Sequence, residues 1–121
     1  MAYLQGEPPV DRIIEIIADA HDQGDSLLMS VVNAGEVFYS ITTRRGLEAA
    51  ESAIELVRSL GIEFVDVDWA TTRIAASFKA KGGISYADCF AAALAKQRRA
   101  TLITGDREFE RVENDISISW L

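Results

Sequence analysis

The stretch ATLITGDREFE, residues 100–110, decides how the chain is read. Residues 100–104 have the apolar, β-branched composition of a strand, and Gly105-Asp106 follows at once, ahead of a charged segment. An acid directly after a strand is either the N-cap of the next helical turn or a reactive carboxylate at the mouth of a sheet. Asp106 fits both descriptions.

Working outward, helical and strand-like segments alternate. Residues 84–99 (ISYADCFAAALAKQRR) read as a helix opening after the Gly82-Gly83 turn, and residues 68–81 as the helix before it. Residues 62–67 (IEFVDV) read as a strand. The helix before that strand puts Leu47, Ala50, Ile54 and Val57 on one face and closes at Gly61, a left-handed C-cap position. Another helix runs from about Asn33 to Arg45, preceded by a buried strand at 26–32. After Pro8-Pro9, the spacing of Val10, Ile13, Ile14, Ile17 and Ala20 predicts a helical stripe ending near Gly24. Beyond the opening stretch, ISISW (116–120) alternates like a half-exposed edge strand. This alternation predicts an α/β domain with a mostly parallel central sheet flanked by helices. In such sheets ligands bind beyond the carboxyl ends of the strands.

The 121 residues suit one domain, 1–121, and 49% apolar with 26% charged residues is the balance of a soluble globular protein. A single cysteine, Cys89, cannot close an intrachain disulfide, and no apolar run approaches membrane-spanning length. A cytoplasmic protein with no membrane partner is expected. The net charge of −7 argues against coating nucleic acid through a broad basic surface. It leaves open an enzyme that touches a few phosphates and holds cations in an acidic pocket.

Three acids share one local position. Glu36 closes NAGE after the strand at 26–32, Asp88 closes SYAD after a glycine turn, and Asp106 closes TGD. Each alone is explained as a helix-start residue: Asn-x-x-Glu and Ser-x-x-Asp approximate the capping box, and acids suit the positive end of a helix. Asp88 strains that explanation. It is the only charged residue from 84 to 95, in a helix of Tyr, Cys, Phe, Leu and Ala that is apolar nearly all round and therefore buried. A lone buried carboxylate costs several kcal/mol or takes up a proton unless something compensates it. Converging carboxylates without a His or Cys cluster suit Mg²⁺ or Mn²⁺. Thr104 is either a strand-end residue or a hydroxyl for a water of that site. His21 reads as a solvated helix-end residue and Cys89 as a small packing residue.

VVNAGEVFY, ISYADCFAAALAK and TLITGDREF, in this order and spacing, resemble PIN-domain proteins, specifically the small VapC-like ribonuclease toxins. The resemblance implies a Mg²⁺- or Mn²⁺-dependent endoribonuclease, the toxin of a toxin–antitoxin pair, with its acidic residues on Glu36, Asp88 and Asp106 and a possible outer ligand at Glu108. It implies an RNA substrate, a cognate antitoxin and a homodimer, for which Phe38, Tyr39 and Trp69 offer apolar surface. Arg44, Arg45, Lys79, Lys81 and Arg107 are candidate phosphate contacts or ordinary helix-end charges.

One departure stands out. The resembling family begins with an apolar strand whose Asp is the first metal ligand, followed by a helix to which residues 2–9 (AYLQGEPP) are similar. A domain lacking that strand is expected to bind metal weakly and cut RNA slowly or not at all. Neither Glu7 nor Asp11 is placed to substitute. The alternative is therefore a PIN-like binding module with little or no catalysis. A remote alternative, a haloacid-dehalogenase-like phosphatase, rests on Asp66 and Asp68 in EFVDVDWATT, where Asp68 is equally an N-cap.

Overall fold

Side-chain alternation in very short strands divides the core into two layers. The structure, a computed structural model, describes residues 1–6 and 10–121. Its strands are β1 (Ala2–Leu4), β2 (Leu27–Ser30), β3 (Glu63–Val65), β4 (Thr101–Thr104) and β5 (Ser117–Trp120). Its helices are α1 (Val10–Asp22), α2 (Val31–Arg45), α3 (Leu47–Ser59), α4 (Trp69–Lys81) and α5 (Tyr86–Arg98), with a 3₁₀ helix over Arg107–Val112. The strands form one sheet in the order β3-β2-β1-β4-β5, every pair parallel. Tyr3, Leu28 and Leu102 face the layer built on α4 and α5, while Leu4, Leu27, Met29 and Ile103 face the layer that takes Ile16, Ile17 and Val57.

Two sequence expectations are corrected here. Residues 2–4 are not helical. Tyr3 and Leu4 are both almost fully buried but in opposite layers, which only an extended backbone allows over two neighbouring residues. β1 pairs with β2 on one side and β4 on the other, and the Gln5 N–H extends the ladder to the Ile103 carbonyl at 3.1 Å. Glu7 and Pro8-Pro9 lie outside the described residues, and Asp11 is exposed on α1. The second correction concerns the stripe of α1: Ile14 is 63% exposed, whereas Ile16 is buried in the core and Ile17 and Ala20 pack against that core.

α2 begins at Val31, two residues before the expected start. The Ser30 hydroxyl accepts the Val32 N–H at 3.0 Å, ending the strand and capping the helix in one residue. α5 is the most enclosed element. Its residues from Asp88 to Ala95 are all buried, because the helix lies against the sheet while α4 and α2 cover its other sides. Small residues make that possible: four of the eight are alanines, which let neighbouring backbones approach. The turn into α5 needs Gly82 and Gly83, both at positive φ, and a Cβ on Gly83 would fall 2.1 Å from Arg111 Nε. Ser85 then caps α5. Among the described residues, no helix is long and apolar enough to cross a membrane.

The Tyr3 hydroxyl is buried at 1% exposure with no hydrogen-bond partner among the described residues. An unmet buried hydroxyl is a net loss that its removal relieves. Tyr3→Phe is expected to stabilise the fold by about 1 kcal/mol, read as a raised urea midpoint at unchanged m-value. A lowered midpoint would show that the hydroxyl is bonded in solution.

Candidate metal centre

The sheet order places the site. Strands run outward from β1 through β2 to β3, then the chain crosses back to β4 and β5, so the winding reverses between β1 and β4. At such a switch point the loops and helix starts diverge and leave a crevice beyond the carboxyl ends of the strands. Gln5 follows β1 there, Thr104 ends β4, Asn33 and Glu36 lie on the first turns of α2, and Asp88 lies on the first turn of α5.

A hydrogen-bond chain ties these elements together. Gln5 Nε2 donates to Asp88 Oδ1 at 2.9 Å, and the Thr104 hydroxyl donates to Gln5 Oε1 at 2.6 Å. The Asp106 N–H donates to Thr104 Oγ1 at 3.0 Å, and Asp106 Oδ1 accepts the Glu108 N–H at 2.9 Å. On the α2 side, Asn33 Nδ2 donates to Glu36 Oε1 at 3.2 Å, while the buried Asn33 Oδ1 has no partner among the described residues.

Asp88, Asp106 and Glu108 each offer a carboxylate oxygen within 4.8 Å of the other two. Burial grades across them, from enclosed Asp88 through half-buried Asp106 to exposed Glu108. Glu36 lies outside that group, yet it lines the same pocket of about 340 Å³ as Asp88 and Asp106. Asp106 caps the 3₁₀ helix and also belongs to an acidic cluster. Glu108 comes closer to Asp88 and Asp106 than an outer position suggests, because the Glu108 N–H is anchored on the capping Asp106.

The electrostatics carry the cost of this arrangement. Asp88 is pushed up from its ordinary 3.8 to about 6, first by burial and then by the Glu36 and Asp106 charges, against the opposing hydrogen bonds of Ser85 and Gln5. The donors that hold Asp88 are neutral, so its charge is only partly compensated. Three hard carboxylate oxygens, that of Asp88 among them, are a donor set of Mg²⁺ or Mn²⁺, and the residues present fit that kind of ion.

The PIN domain family profile matches residues 1–115. The chain belongs to the PIN domain family. Comparison with curated proteins gives no sequence match. Solved structures share the PIN fold over almost the whole chain. VapBC2 from Rickettsia felis, bound to a DNA fragment from its promoter, has a TM-score of 0.79 at 19% identity over 100% of this chain and 99% of that one. VapBC-1 from nontypeable Haemophilus influenzae gives 0.75 at 23% over 99% and 98%. VapC20 from Mycobacterium tuberculosis, a toxin that cleaves the sarcin–ricin loop, gives 0.65 at 12% over 96% of each. At these identities the likeness is one of PIN fold.

The structure also sorts the remaining candidates. In this PIN domain Thr104 is fully buried and positions Gln5 and Asp106 through its hydroxyl. Asp68 caps α4, its carboxylate accepting the Thr71 N–H at 2.9 Å, which accounts for it without phosphatase chemistry. His21 is exposed and Cys89 is buried. Sequence reasoning did not single out Gln5, whose signal was faint: a polar side chain directly after the apolar pair Tyr3-Leu4.

Asp88 sets a pH dependence. Near pH 4 it is mostly protonated in the folded protein. As pH rises towards 6 the unfolded chain has already released the proton that the folded protein keeps, so stability falls. Above about 6 the full charge penalty, about 3 kcal/mol, is present. Asp88→Asn is expected to be more stable than the parent by up to about that amount at neutral pH, with the advantage vanishing near pH 4. Urea unfolding of both proteins at the two pH values checks this; an advantage independent of pH would assign the gain to something other than charge.

Proposed function

We propose that this PIN domain is a divalent-metal-dependent endoribonuclease acting as the toxin of a toxin–antitoxin pair. The observation that carries the reading is the convergence of carboxylate oxygens from Asp88, Asp106 and Glu108, with Glu36 across the pocket, at the switch point of the parallel sheet. The VapBC pairs and the RNA-cleaving toxin among its structural neighbours support an antitoxin partner and an RNA substrate. A cytoplasmic setting goes with that reading. Self-association is part of it too, with exposed Trp69 as apolar surface to cover.

Mg²⁺ or Mn²⁺ would be held by Asp88, Asp106 and Glu108, with Glu36 as the fourth acid. When bound, the ion supplies positive charge to the scissile phosphate and lowers the pKa of a water. The protein's own part is positional. Thr104 fixes Asp106 through its backbone, Gln5 fixes Asp88, and Asn33 holds Glu36 from the next turn of α2. Burial keeps the Asp88 carboxylate poorly solvated, so a cation there gains more than it would from a surface acid.

One observation favours the second reading, a binding module that cuts slowly or not at all. β1, the central strand, holds no acid and is followed by the neutral Gln5 amide, which already occupies Asp88 Oδ1. Mg²⁺-dependent cleavage of single-stranded RNA separates the two. For the nuclease, EDTA is expected to stop cleavage, and Asp106→Asn to slow it by about 100-fold or more, the weight of one charge-stabilising group. Cleavage that survives both changes overturns the metal-site reading, while metal binding without cleavage supports the module. Gln5→Asp is expected to tighten Mn²⁺ binding about tenfold by titration calorimetry, adding one close charge to the cluster.

A further inference from the structure

Helix α2 carries a stripe graded from interior to solvent. Asn33 is buried, Glu36 and Ser40 are half-buried, and Tyr39 is 63% exposed, yet all four line the pocket that holds Asp88 and Asp106. Residues three apart on a helix stand on the same face, about 5–6 Å apart at Cβ. The Tyr39 ring therefore stands beside Glu36 at the rim of the acidic pocket. Among the described residues no ring–ring or ring–cation contact engages it.

Several basic side chains are engaged within the fold. The net charge is −7. Lys79 is spent on the Ile84 carbonyl at 3.0 Å, Lys81 faces Asp115 at 3.9 Å, and Arg107 lies between Glu110 and the Trp120 ring. So acidic a domain favours a nucleic-acid contact that needs no positive charge. An exposed aromatic ring supplies it, because every base has a face to stack and stacking needs no charge.

We propose that Tyr39 is a stacking platform for an unpaired base beside the scissile phosphate. The proposal rests on the nuclease reading above and names a residue that holds its substrate. A base already stacked in a helix presents no free face to the ring, so duplex gains nothing from it.

The test is binding of a short fluorescein-labelled single-stranded RNA by fluorescence anisotropy in Mg²⁺, in the Asp88→Asn background so that the RNA stays intact. Tyr39→Ala in that background is expected to weaken binding about 10- to 100-fold, the range of one stacked base, and Tyr39→Phe to restore it. Duplex RNA of the same sequence is expected to bind like the alanine variant, whichever residue stands at position 39. Single-strand binding that is the same with and without Tyr39 overturns the proposal while wild-type RNA cleavage keeps the nuclease reading standing. Tyr39→Ala that leaves RNA binding alone but shifts the sedimentation coefficient assigns the ring to a protein interface and also overturns it. No RNA binding together with no wild-type cleavage removes the nuclease reading and this one with it.

Discussion

The enclosure of α5 is the constraint on which the rest depends. A helix with sheet on one side and α2 and α4 on the others has no solvent face along its middle, so its residues must be small or apolar. Asp88 is the exception, and the fold meets it by placing it where α5 reaches the carboxyl edge of the sheet. There Gln5 and Ser85 serve its oxygens and backbone, and other acids can share an ion with it. Moving Asp88 one turn further into α5 would bury a charge with no partner. Its position is thus fixed by electrostatics as much as by sequence.

The same region shows how one side chain can serve structure and chemistry at once. Thr104 ends a strand, caps a backbone N–H and orients the Gln5 amide; Asp106 caps a 3₁₀ helix and presents a carboxylate. Each local duty holds the side chain in one geometry. Side chains anchored by several hydrogen bonds lose little further freedom when they gather around a ligand, which is the requirement for a pre-organised site. Capping and convergence are in this sense one arrangement.

Much of this was legible in the sequence, and the exceptions have physical causes. The helix–strand alternation and the anomaly of Asp88 follow from patterns of ten residues or more, where hydrophobic periodicity is strong. β1 has only three residues, too few to show a period, and its extended state comes from pairing on both sides with distant segments. Gln5 was hidden for the same reason. On α1 the isoleucines at 13, 14, 16 and 17 fit more than one helical face, and only packing against Leu4, Leu27 and Met29 selects Ile16 over Ile14. Glu108 entered only through the resemblance, as a possible outer ligand, because a tight 3₁₀ turn brings it nearer to its cap than a regular helix pattern suggests.

The central position of β1 has a consequence for the order of assembly on the ribosome. Gln5 reaches partners 83 and 99 residues along the chain, Asp88 and Thr104. The strand therefore leaves the exit tunnel long before β4 exists to flank it, and the acidic pocket has no existence until that late segment docks. Contacts of such long range are formed slowly, after much loop-closure entropy has been overcome. A nascent chain that stops short of β4 lacks the site, so the acidic centre matures only once residues 101–108 have been made and have docked.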